Sequence, residues 1–375
     1  MIAADAVGGI LLASVTLYAV LGGADFGGGL WDLLAGGDRR GSAPRRLIDD
    51  TITPVWEANH VWLVFDLVIF WTAFPHAFAA VMTTLALPLW LALLGIVLRG
   101  VGFAFRKEVH GLGAQRLFGA MFAVSSLLVP FFMGTVVGAI ATGRVPANGS
   151  RADLAAWTSG TCVLTGLLFT AACGYLAAVY LTGEAARAGD EPMSSYFARR
   201  AEGAGVVSGA LSLGALASLR GSLLYSRLTG RALPLVILAG VAGVTVFVLL
   251  VSGQRMASGQ TPWLRSVAAL GVAAVVWGWG VAQYPVLLPG TAVTLVNAGA
   301  PDGTLIAIIW LFAVLVLLIG PSFALLFLLQ GKRVLYHAME EPVAVQRVGT
   351  RVASGHARTA ALAVVAVAVI RRLRR

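Results

Sequence analysis

Five residues in this chain could do acid–base work in an apolar setting: Asp25, Glu57, His60, Asp66 and Arg99. Asp25 stands in LGGADFGGGLW, with Gly22, Gly23, Gly27, Gly28 and Gly29 around it. Glu57 and His60 stand in TPVWEANHVWLV, three residues apart, so on a helix they project from one face. Arg99 closes an apolar run in LRGVGFAFRKE. A carboxylate in hydrocarbon must pair with a cation or line a water-filled path, because its desolvation is costly. Two acids and one arginine from three segments could therefore share a buried site. Two readings are open: a structural charge cluster that fixes helix packing, or a proton path in which an acid near the membrane surface hands protons to a buried acceptor. Glu57 alone would also be served by the dipole of a helix N-terminus. Asp66 lies about 13 Å beyond Glu57 and on the opposite helical face, which separates it from the same relay.

The elements that must hold these residues follow from composition. Of 375 residues, 58% are hydrophobic and 12% charged, against roughly 25% charged in a soluble domain. The apolar residues come in blocks of about 20, the length that crosses the hydrocarbon as a helix. A transmembrane barrel would instead alternate in polarity over segments of about ten residues. The expected fold is an all-α polytopic membrane protein with about nine spans, near 6–32, 55–74, 77–99, 117–141, 157–182, 203–224, 232–252, 264–284 and 304–330. The expected organisation is one integral membrane unit, 1–335, and a basic cytoplasmic tail, 336–375. Within that tail, 359–370 is too short to span and reads as a surface helix.

Pro54 suits the opening turn of the second span, and Trp56 and Trp62 suit an interfacial belt. Gly23 and Gly27 form a small-xxx-small pair that lets another helix approach closely. Pro285 and Pro289 end the eighth span and open a long connection. The N-terminus has no basic region ahead of its apolar run and reads as retained.

The net charge of +10 sits at span ends rather than in a nucleic-acid-binding patch. One alternate set of connections holds Arg39, Arg40, Arg45 and Arg46, then Arg106, Lys107 and Arg116, then Arg187, Arg199 and Arg200, then Arg255 and the tail; the other holds Arg144, Arg151, Arg227 and Arg231. By the positive-inside rule the N-terminus is outside and the C-terminus cytoplasmic, and basic ends touch anionic lipid. This orientation puts Asp25, Glu57 and Arg99 toward the cytoplasmic side.

Cys162 and Cys173 share one span about 16 Å apart, too far for a disulfide, and read as packing residues. There is no CxxC or Cys/His cluster, and of the five histidines only His60 lies clearly in a span. A bis-histidine haem site from this chain alone is not expected. A proton-coupled membrane transporter is the competing class, and it would work without a partner.

In order along the chain, GGADFGGGLWDLL, TITPVWEANHVWLV, TAFPHAFAA, LRGVGFAFR, AQYPVLLP, APDGTL and GPSF resemble subunit II of the cytochrome bd family of quinol oxidases. WEANHVW and RGVGFAFR are the most specific of these stretches. The resemblance implies two four-helix bundles plus one peripheral helix. It implies a partner, a haem-bearing subunit I that holds haems b and d, or b only, oxidises quinol and reduces O2 to water. It allows small single-helix subunits as further partners and a structural quinone or lipid in this chain, and it implies no iron ligand here. It places the complex in a bacterial plasma membrane and makes this chain a non-haem-ligating part of an oxidoreductase. Asp25, Glu57 and Arg99 then match the family's acids and arginine; His60 is a weaker candidate for the same site. Glu57 stands where the family often has aspartate in a WDGN pattern, and the Glu-Ala-Asn-His variant resembles the cyanide-insensitive branch. Asp66 matches no family position.

Overall fold

The computed structural model describes residues 2–52, 56–106, 112–149, 153–252 and 261–331. The chain divides into two compact units, 1–308 and 309–375. Most described residues are helical, the longest non-helical stretch being 284–301, as expected from blocks of apolar residues that must satisfy their backbone polar groups internally.

The first unit opens with α1 (Ile2–Leu17), a π-helical turn (Tyr18–Gly22) and α2 (Gly23–Leu34), one continuous apolar column. Then follow α3 (Asp38–Ile52), α4 (Trp56–Ala73), α5 (Pro75–Thr84), α6 (Ala86–Arg106), α7 (Leu112–Ala141) and the single turn α8 (Leu154–Trp157). Next come α9 (Gly160–Arg187), α10 (Glu191–Ser218), the short α11 (Leu223–Leu228), α12 (Leu233–Val251), α13 (Thr261–Gln283) and α14 (Asp302–Gly331), whose residues from Ile309 onward belong to the second unit. Side-chain oxygens of Ser159, Asp190 and Ser222 accept from the backbone N–H groups of Cys162, Met193 and Tyr225, fixing where α9, α10 and α11 begin.

Seven of these helices are long and apolar enough to cross a membrane, and an eighth results if the bent pair α4 and α5 counts as one span. Two differences from the sequence expectation of nine have clear causes. The stretch 77–99 is not one helix. Pro75 cannot continue α4, so the chain turns through 118° into α5; it breaks again at Leu85, and the span proper is α6, with Pro88 in its first turn. The stretch 203–224 ends at Ser218 as the second half of α10, whose first half carries Arg199, Arg200 and Glu202 and whose apolar half is diluted by Gly and Ser. The tail 336–375, including 359–370, lies outside the described residues, as do Lys107, Arg151 and Arg255.

Around the acids, α2 packs on α7 and α9, α6 packs on α7, and α1 packs on α4. Glycines permit the closest approaches. A Cβ on Gly102 would stand 2.8 Å from the Phe118 carbonyl oxygen of α7, so only the bare backbone of RGVGF lets α6 lie against α7 here. Trp31 of α2 donates to the Gly174 carbonyl of α9 at 2.8 Å. On the other side of α9, Arg265 of α13 donates to the Tyr180 carbonyl at 2.7 Å and to Glu184 Oε1 at 2.9 Å. The connection after α13 is held by an antiparallel bridge between Val286 and Thr294, by Arg231 donating to the Ala282 and Tyr284 carbonyls, and by the Ala300 N–H on the Ala73 carbonyl.

Candidate functional site

The site forms where α2, α6 and α7 meet. Asp25 lies in the first turn of α2, and Arg99 lies two-thirds of the way along α6. Arg99 Nη2 reaches Asp25 Oδ1 at 2.6 Å and the Asp25 carbonyl oxygen at 3.1 Å. Both side chains are almost fully buried, at 2% and 1% exposure. The other terminal nitrogen, Nη1, donates to the Ser126 hydroxyl of α7, which itself donates to the Phe122 carbonyl at 2.6 Å. Pro130, four residues on, lacks the N–H that would bond the Ser126 carbonyl, which loosens α7 at this point.

The guanidinium is also held by aromatic faces. Its central carbon lies 4.8 Å from the Phe26 ring centre and 4.6 Å from that of Phe122, so the cation is sandwiched where water is excluded. Charge balance is local: one carboxylate and one guanidinium, with further donors and rings taking up the remaining capacity of the arginine. The second Asp25 oxygen, Oδ2, makes no hydrogen bond to the described residues, nor does Arg99 Nε. A pair that only clamped helices would be best with every lone pair used; the open Oδ2 gives this carboxylate capacity to accept a proton or a water.

His60 lies beside this pair on α4. Its ring meets Phe26 at 6.0 Å and Tyr18 at 6.5 Å between centres, each edge to face. Asn59, its buried neighbour, donates to the Leu21 carbonyl at 3.3 Å and so ties α4 to the π-helical turn that precedes Asp25. Glu57 lies in the first turn of α4, but its side chain is outside the described residues. Asp66 is buried further along α4, facing Ser14 of α1 and outside the Asp25–Arg99 contact.

The structure therefore brings together Asp25 and Arg99, sets His60 against them through Phe26, and adds three residues the sequence reading did not single out. Ser126 sits in an apolar block as the pair Ser125–Ser126, a pattern shared by many serines that merely bond their own helix. Asn59 was inside the WEANHVW motif. Tyr18 has no signature beyond its place before the glycine run.

Fold and site together define a helical multi-pass membrane protein with a buried acid–arginine pair at a helix junction. The match to a family is decisive: residues 4–330 fit the model of cytochrome bd terminal oxidase subunit II, and the chain belongs to that family. Over 119 residues it is 32% identical to the cytochrome bd ubiquinol oxidase subunit 2 of Bacillus subtilis (strain 168), covering 32% of this chain and 34% of that one. Over 140 residues it is 29% identical to the cytochrome bd-I ubiquinol oxidase subunit 2 of Escherichia coli (strain K12), covering 37% and 36%. The matched stretches thus span about a third of these curated relatives. The structure of bd oxidase from Geobacillus thermodenitrificans shares the fold, with a TM-score of 0.69 at 22% identity over 90% of this chain and 99% of that one.

Proposed function

We propose that this chain is the accessory subunit of a terminal quinol:oxygen oxidoreductase, which stabilises a haem-bearing subunit I and supplies part of a proton-uptake path from the cytoplasm for the reduction of O2 to water. Family membership supports the subunit role, and the buried Asp25–Arg99 pair with its open Oδ2 is the observation that carries the proton role. In this reading Glu57 takes protons at the membrane surface, Asp25 receives them, and Arg99 is their counter-charge. Protonation of Asp25 would loosen its bond to Arg99, whose Ser126 and ring contacts hold the cation in place meanwhile. His60 packs the Asp25 turn and positions rather than carries.

The proposal sets the chain in a bacterial plasma membrane, N-terminus outside and C-terminus cytoplasmic, which the bias of basic residues supports. Haems b and d, or b only, belong in it to the partner. Among the described residues no group of three or more His, Cys, Asp and Glu is placed to hold a metal ion, and no step of this chain is routed through haem. The shallow apolar groove on α4 lined by Val61, Val64, Phe65 and Val68 would take a lipid or quinone tail as structural filler.

The test uses the assembled complex. Glu57→Gln and Asp25→Asn, with haem spectra unchanged, should each lower quinol oxidation and charge separation on the order of ten-fold or more. Unchanged turnover in both would overturn the proton role. Loss of haem incorporation would leave only the stabilising one. Transport activity by this chain expressed alone, without a haem-bearing partner, would overturn the subunit role in favour of a proton-coupled transporter.

A further inference from the structure

Beyond the acid–arginine pair, a second line of polar atoms runs along the seam between α1 and α4. Ser14 is 1% exposed and Asp66 9%, and they face each other across this seam. Asp66 lies in the middle turns of α4. The Tyr18 ring meets the His60 ring of α4 edge to face, 6.5 Å between centres. The Tyr18 hydroxyl and Asp66 Oδ1 on this seam, and Asp25 Oδ2 in the turn after Gly22, are enclosed without a hydrogen bond to the described residues. No ion pair reaches Asp66 among the described residues.

Polar atoms enclosed in a membrane helix bundle need partners, and the tyrosine, serine and aspartate of this seam are a site for bridging water, which binds where two to four polar groups converge. A carboxyl there without a cation is cheapest while it holds a proton. The backbone is shaped for this. The π-helical turn Tyr18–Gly22 interrupts the α-helical register between Ser14 and Asp25, as π turns do at functional positions. Gly22 has no side chain, and a Cβ there would stand 2.9 Å from Tyr18 Cε2, so the tyrosine ring lies over the bare Gly22 backbone.

We propose that Tyr18, Ser14 and Asp66 extend the proton path past Asp25 as a hydrated relay, with Asp66 the site that holds the proton within the membrane. This rests on the proton-uptake reading above. In each transfer the Tyr18 hydroxyl gives its proton toward Asp66 as it takes one from the Asp25 side, so the phenol ends neutral. The Asp66 carboxylate becomes a carboxyl, hydrogen-bonded through Ser14, and returns to carboxylate when the proton moves on to the oxygen chemistry that consumes it.

The experiment uses the complete oxidase with Tyr18→Phe, Asp66→Asn and Asp66→Glu. Tyr18→Phe removes one oxygen that no described residue bonds, so assembly should hold. The expected result is turnover lowered on the order of ten-fold in Tyr18→Phe and Asp66→Asn with normal haem spectra, and recovery of most of it in Asp66→Glu. Redox-difference infrared spectra should carry a carboxyl C=O band that shifts in D2O and is lost in Asp66→Asn, a signature that a purely structural aspartate would not give. Full turnover in Tyr18→Phe with no band assignable to Asp66 overturns the relay. If Asp66→Asn fails to assemble, Tyr18→Phe and Asp66→Glu decide by the same two readouts. If Asp25→Asn slows the enzyme while these variants do not, the path ends at Asp25 and only the extension falls; if Asp25→Asn and Glu57→Gln are also silent, the uptake reading falls with it.

Discussion

Gly27 of α2 lies so close to α9 that a Cβ on it would stand 1.9 Å from the Cys173 carbonyl oxygen. No side-chain rotation relieves that contact, because the obstacle is backbone. Two residues on, a Cβ at Gly29 would meet the Ser126 hydroxyl at 2.1 Å, the group that holds Arg99. The glycines around Asp25 therefore have separate tasks: Gly27 lets α9 in, and Gly29 leaves room for the serine that supports the charge pair. Gly23, the other half of the small-residue pair, is under no such pressure, since its Cβ would find Leu176 at an ordinary 3.4 Å.

Gly27→Ala is accordingly expected to separate α2 from α9 and to destabilise the chain by more than the ~1–3 kcal/mol of ordinary overpacking. Gly240→Ala on α12, where a Cβ meets nothing within 4 Å, is the control and should be neutral or slightly stabilising. Thermal unfolding of the detergent-solubilised complex compares them. A Gly27→Ala protein as stable as the control would mean the helices are not packed this closely.

The Asp25–Arg99 pair should behave asymmetrically. Arg99→Leu leaves a buried carboxylate with no counter-charge, a loss of about 3–5 kcal/mol. Asp25→Asn leaves the arginine its bonds to the Asp25 carbonyl and to Ser126, and its two aromatic faces, so it should cost less. The double change Asp25→Asn with Arg99→Leu should be milder than Arg99→Leu alone. A thermodynamic cycle over these variants measures this, and strict additivity would show that the two side chains do not interact.

Much of this arrangement was legible because membrane burial makes charge conspicuous: an aspartate and an arginine in apolar runs had to find partners, and they found each other. The helix positions followed from block length for the same reason. What was not legible depended on exact backbone register. The break at Leu85 was marked only by Pro88, which fits the first turn of a new helix as readily as the interior of an irregular one. The π-helical turn has no residue signature, since its sequence YAVLG would serve in any apolar helix. Ser126 and Asn59 become functional candidates only through neighbours far away in sequence, Arg99 of α6 for the one and Leu21 of the π-helical turn for the other.

The link between α9 and α13 gives a test away from the site. Arg265 donates both to a backbone carbonyl, Tyr180, and to Glu184, which also pairs with Arg187 at 2.5 Å. Lysine has one compact ammonium where arginine has a planar fork, so Arg265→Lys should keep one of these contacts and lose the other. Because Glu184 and Arg187 are each about a quarter to a third exposed, Glu184→Gln should have a small effect, whereas Arg265→Leu removes both the bond to the Tyr180 carbonyl and the pair with Glu184 and should lower the unfolding temperature measurably. Equal effects from both would place the stabilisation in the ion pair rather than in the carbonyl bond.

Asn59 offers the sharpest test of how α4 holds the turn before Asp25. Its Nδ2 donates to the Leu21 carbonyl, inside the π-helical turn where the α-helical bonding pattern is interrupted. Aspartate has nearly the same shape as asparagine but offers an oxygen where the N–H stands, so Asn59→Asp would set an acceptor against an acceptor in a buried position. It should cost more than Asn59→Leu, which only leaves the carbonyl unpaired at about 1–3 kcal/mol. Both variants should also disturb Asp25, because the turn they release leads straight into it; reduced proton uptake with intact haem spectra is the expected companion effect. If Asn59→Asp is as stable as the unaltered protein, the bond to Leu21 is not what secures the turn, and the position of Asp25 must depend on Arg99 alone.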